Sequence, residues 1–126
     1  MVPKADGKKK WPLYGLYYLD DDTALVISRD GRPIPPKEND PEAPTLPGFH
    51  VRPRYFKFAI SRLSDQGFSF RTERIEGTEY SFTGKFGTEN VDVIEDVPYL
   101  AGTLTERRNG RIVRRKAVHF SHAVIL

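Results

Sequence analysis

Cysteine is missing from all 126 residues. No disulfide can hold the fold, and no thiolate can act as nucleophile or metal ligand. That absence fits a reducing, cytoplasmic setting. Long apolar runs are missing too: nothing approaches the 18 or so residues of a membrane-spanning helix. Met1 to Lys10 is polar and lysine-rich, with no apolar stretch of the kind a secretory signal carries. Histidine occurs three times only. No Gly-rich phosphate loop, G-x-S-x-G, H-E-x-x-H or CxxC pattern is present, so neither a metal nor a cofactor is indicated. A 3.6-residue apolar period appears nowhere, which argues against amphipathic helices.

What is present is aromatic and alternating. Eight of the fifteen aromatic residues are Phe. From Phe56 to Phe86 the apolar positions are even-numbered: Phe56, Phe58, Ile60, then Phe68, Phe70, then Tyr80, Phe82, Gly84 and Phe86. Polar residues fill most of the odd positions. This period of two predicts three antiparallel strands, near 54–62, 67–75 and 79–87, with one wet face and one aromatic face.

Upstream, residues 1–10 read as a flexible basic tail and 11–126 as one domain. Leu13–Leu19 and Ala24–Ser28 read as a hairpin around Asp20-Asp21-Asp22, a run without the alternate ligand spacing of a calcium loop. The first of these strands is apolar on both parities, as expected of a strand covered on two sides. Six prolines between Arg32 and Gly48 exclude regular structure there, leaving a stiff irregular loop over about 30–48. A short strand follows at Phe49–Val51. Downstream, the acid-rich stretch Glu89–Asp96 reads as a connection with a short edge strand at 91–94.

Parity also constrains the turns. Keeping Phe70 and Phe82 on one face requires an even pairing sum, which a three-residue loop 76–78 would supply. For the last hairpin, near 98–107 and 111–124, a bulged turn over Arg108-Asn109-Gly110 places Leu100, Leu104, Val118, Phe120, Val124 and Leu126 together.

Seven or eight sequential antiparallel strands predict an all-β meander closed into a small up-and-down barrel, with a two-sheet β-sandwich as the alternative. In chain length and strand count this resembles the small calycin-type, lipocalin-like barrels that hold one apolar ligand, although no lipocalin Gly-x-Trp signature is present.

The candidate site follows from the inward parity. Phe58, Phe70, Tyr80, Phe82 and Phe120 would line the interior, and Gly84 and Gly102 would leave room in it. Arg62, Thr72, Arg74, Glu106, Arg114 and Lys116 share the inward register. Buried unpaired cations are costly, so the basic ones belong at strand ends or in a wet cavity, where Arg74, Arg114 and Lys116 could clamp an anion. His122, also inward, is the one weak catalytic candidate. The expected function is non-enzymatic binding of a small apolar, amphipathic or anionic ligand. The alternatives are a homo-oligomeric interaction module pairing through Leu13–Leu19 or Ala123–Leu126, and a small isomerase or hydrolase built on His122 and Arg74. Six cations lie close together at Arg107, Arg108, Arg111, Arg114, Arg115 and Lys116. Nucleic-acid binding would need outward aromatics beside them, and those face the other way.

Overall fold

The computed structural model describes residues 11–37 and 40–123. The basic tail and residues 124–126 of the C-terminal apolar run lie outside that range. Nine strands form: β1 Gly15–Tyr18, β2 Thr23–Ile27, β3 Gly48–Val51, β4 Arg54–Phe56, β5 Phe58–Leu63, β6 Gly67–Thr72, β7 Thr78–Val91, β8 Ile94–Arg108 and β9 Arg111–His122. All pairings are antiparallel, in the order β4-β3-β2-β1-β9-β8-β7-β6-β5. The all-β meander is therefore present, closed into a nearly complete barrel with one unsealed seam. The two ends of the sheet order, β4 and β5, are consecutive in the chain and joined by Lys57. The Lys57 carbonyl accepts a hydrogen bond from the Glu73 N–H (2.8 Å), and Arg54 pairs with Glu76 (2.9 Å).

The strand count exceeds expectation because the segment near 54–62 is broken into β4 and β5. A bulge beside Ala59 shifts the register between Phe58↔Thr72 and Ile60↔Arg71. Parity inverts there, since a one-residue slip carries every later side chain to the other face. Ile60 and Arg62, expected inside, consequently lie on the outer face, and Ile60 is 58% exposed. The acid-rich stretch is also not a connection. It is the far end of a long β7–β8 hairpin that turns at Asp92-Val93.

The turns reach the expected even register by another route. Ile75 pairs with Thr78 around a two-residue turn, Glu76-Gly77, with both central φ angles positive (49° and 84°). One extra residue in the β6 arm then restores the even sum, so that Phe70 faces Phe82. There the Thr72 hydroxyl accepts the Tyr80 N–H (2.9 Å), a side chain standing in for the ladder carbonyl. Tyr80 consequently sits beside Thr72 rather than opposite Arg74. The last hairpin repeats the device: Arg108 pairs with Arg111 around Asn109-Gly110 (φ 50° and 83°), and a bulge lies between Glu106↔Arg114 and Arg107↔Ile112. Beyond it Leu104 faces Lys116 and Leu100 faces Phe120, two positions from the expected partners but on the expected face. Positive φ at both central positions is the turn geometry that matches strand twist.

Two cores result. Inside the barrel, Tyr17, Leu25, Ile27, Phe49, Phe56, Phe68, Phe70, Phe82, Leu100, Leu104, Val118 and Phe120 form the main cluster. On the outside of β1–β2, Leu16, Ala24 and Val26 are covered by Ala43 and Ile34 of the proline-rich loop, with Tyr18 and Ala123 beside them. This second cluster accounts for the two-sided apolarity of the first strand from within the chain.

Candidate functional site

The aromatic residues fill the interior by packing on one another. Phe70 stacks on Phe82 (5.7 Å between centroids), Phe82 meets Phe120 edge-on (5.5 Å), and Phe58 contacts both Phe68 and Phe70. The glycine pair leaves no void. Gly84 and Gly102 face each other across β7 and β8. A Cβ on Gly84 would strike the Phe82 ring, and one on Gly102 would strike the Thr83 carbonyl and the Gly84 backbone. Their lack of a side chain serves close approach.

Space opens at one mouth of the barrel. A cavity of about 90 Å³ is lined by Leu19, Thr23, Phe49, Val51, Tyr80, Leu104, Glu106, Arg114 and Lys116. Its floor is apolar and its rim is charged. Glu106 is buried, and Arg108 holds its carboxylate through both Nε and a terminal nitrogen (3.1 Å each). That pairing offsets the cost of burying the carboxylate. Arg114, which faces Glu106 across the β8–β9 ladder, and Lys116 have no ion pair among the described residues. Burial pushes the Tyr80 phenol above its ordinary value, the Glu106 carboxylate adds to this, and Arg108, Arg114 and Arg54 oppose it. Tyr80 therefore remains a protonated donor at neutral pH. The mouth carries uncompensated positive charge over an apolar floor, the combination that recognises an anionic head on an apolar stem.

Arg74 is not among the lining residues. Its side chain is exposed and pairs with Glu79 (3.2 Å). Sequence reasoning offered Lys116, with Arg74 and Arg114, as a possible anion clamp, and placed Glu106 in the inward register without a role. It did not single out Leu19, Thr23 or Val51, since only the closure of β1–β3 against β7–β9 brings them to this site.

His122 lies toward the opposite end, where its ring meets Tyr17 (5.0 Å, edge-on) and Trp11 (6.0 Å). Among the described residues neither ring nitrogen has a hydrogen-bond partner, and burial holds its pKa below the usual histidine value; the nearby Tyr14 backbone, short of hydrogen-bond geometry, and Lys37 are lesser influences. Among the described residues no base, nucleophile or carboxylate is placed against it to form a catalytic pair. His50 stacks on Tyr55 (4.7 Å) and bonds the Leu46 carbonyl through Nε2 (2.9 Å). His119 stacks on Tyr99 and meets Glu89 (3.1 Å) on the surface. Among the described residues no three His, Asp or Glu side chains gather to hold a metal, and no helix is long and apolar enough to cross a membrane. The Asp20-Asp21-Asp22 run is a turn in which Asp20 accepts the Asp22 N–H (2.9 Å).

Comparison with protein-family models, curated proteins and solved structures finds no match to this chain.

Proposed function

We propose that this barrel is a non-enzymatic, soluble binding protein for a small amphipathic acid. The anionic head rests between Arg114 and Lys116 with Tyr80 as donor, and the apolar stem lies on Leu19, Phe49, Val51 and Leu104. The observation that carries this reading is the pair of unneutralised cations over an apolar floor at the mouth, beside a glutamate already satisfied by Arg108. A cavity of about 90 Å³ is well under the roughly 300 Å³ of a pocket that engulfs a whole drug-sized ligand. The bound part is therefore a head group and a few carbons. The filled aromatic interior, with Phe58, Phe70, Phe82 and Phe120, supports the floor.

Isothermal titration with hexanoate, hexyl phosphate and hexanol tests this. The two acids should bind and the alcohol should not, and Arg114→Gln or Lys116→Gln should each weaken the acids about tenfold, the worth of one charge-assisted hydrogen bond. Equal binding of hexanol and hexanoate, or no effect of either substitution, would remove the anion site.

A further inference from the structure

Strand β5 ends the sheet, and its outer edge has no partner strand among the described residues. The register shows which groups that edge presents. Ser64 donates its N–H to the Gly67 carbonyl (2.9 Å), and an antiparallel ladder alternates bonded and non-bonded pairs. Counting back by two, Arg62 (opposite Ser69) and Ile60 (opposite Arg71) direct their backbone groups toward β6. Ser61 and Leu63 therefore turn their N–H and C=O groups to the open edge.

Beside this edge the outer face of β5–β7 is hollowed into a groove of about 470 Å³, lined among others by Ile60, Arg62, Ser69, Arg71, Ser81 and Thr83. No carboxylate lines it, and neither Arg62 nor Arg71 is in an ion pair among the described residues. On the other face of the same edge lie half-buried Phe58 and exposed Leu63.

We infer that β5 receives an extended acidic peptide as an added strand. Main-chain bonds to Ser61 and Leu63 hold the peptide. One set of its alternate side chains, carboxylates, lies toward Arg62 and Arg71. The other set, apolar, covers Phe58 and Leu63. Charge selects this occupant over a second copy of the chain, because pairing two β5 edges brings two cationic grooves together with no acid between them. A nucleic-acid strand would need outward aromatics for its bases, whereas the two that border the groove, Phe70 and Phe82, are buried in the barrel interior.

The probe is a fluorescein-labelled decapeptide of alternating Glu and Val, titrated by anisotropy at low salt into the full chain and its variants. Saturable binding is expected. Arg62→Glu should weaken it about tenfold, since charge reversal turns attraction into repulsion. Ser61→Pro should abolish it, because that substitution removes an N–H the β6 ladder does not use. Circular dichroism of the Ser61→Pro variant checks its fold. Should that variant misfold, the same peptide N-methylated throughout carries the test and should not bind. Arg114→Gln should bind the peptide normally, which separates this edge from the mouth. Binding that survives both N-methylation and Ser61→Pro would show a charged face rather than an added strand, and overturn the inference. So would no binding at all, tighter binding of an oligothymidine, or a dimer in sedimentation that Ser61→Pro dissolves.

Discussion

His122 and Glu106 face inward toward opposite ends of the same interior, and their surroundings treat them differently. Glu106 is buried with its charge matched by a two-pronged arginine, whereas His122 is half-buried with ring nitrogens that find no partner among the described residues, and is favoured neutral. His50 is also held below its ordinary pKa by burial, against the pull of the Leu46 carbonyl. Both rings thus resist protonation when folded, and the unfolded chain takes up those protons near its ordinary histidine value of 6.5. Stability conferred by the neutral rings is fully present above that value and is lost as pH falls below it, by up to about 1.4 kcal/mol per pH unit for each ring. The urea midpoint should therefore decline from pH 7 to pH 5, and His122→Leu should flatten the decline. Asp30, the one carboxyl among the described residues whose pKa is clearly lowered, adds its share only below its ordinary value of 3.8. An unchanged slope in His122→Leu would show that the ring is not kept neutral by burial.

At the level of the element, the hairpins show what alternation reveals and what it conceals. Which residues face inward on β6 to β9 was legible, because a half-buried strand must alternate: Phe68, Phe70, Phe82, Leu100, Leu104, Val118 and Phe120 are all buried. The places of the bulges were not legible, since one extra residue leaves no mark in composition; parity called for a bulge in the last hairpin but put it in the turn rather than in the β9 arm. At Ala59 such a residue carried Ile60 and Arg62 outward. At Glu76-Gly77 and Asn109-Gly110 it rescued a parity that the two-residue turn alone would have inverted. The cationic mouth was partly legible through the inward register of Arg114 and Lys116, but its walls come from strands distant in sequence. The Gly84–Gly102 pair was read as room and is the reverse, a place where backbone already occupies the space a Cβ needs. Gly102→Ala should cost about 1–3 kcal/mol through overpacking against backbone that cannot step aside. Urea denaturation measures it, and a loss below about 0.5 kcal/mol, the range of a neutral surface change, would contradict the close approach.

Among the described residues the molecule is two meanders, β1–β4 and β5–β9, which share the main core and the Arg54–Glu76 pair and are connected by two backbone links. One is the single residue Lys57. The other is the short β1–β9 ladder, Tyr17↔His122 and Tyr18↔Ser121, extended by the Ala123 N–H to the Leu16 carbonyl (2.8 Å). Within the second meander the β7–β8 and β8–β9 ladders are far longer. Amide exchange should therefore be slowest at Leu100–Leu104 and faster at Tyr17–Tyr18, with the β1–β9 joint opening before either meander melts. Uniform protection across that joint would show a single cooperative unit. The same division leaves a route for trading parts between molecules. If Lys57 straightens, the second meander of one copy can seat on the first meander of another through the identical joint, and no ladder is lost in the exchange. The same contacts then admit two distributions, within one chain or between two.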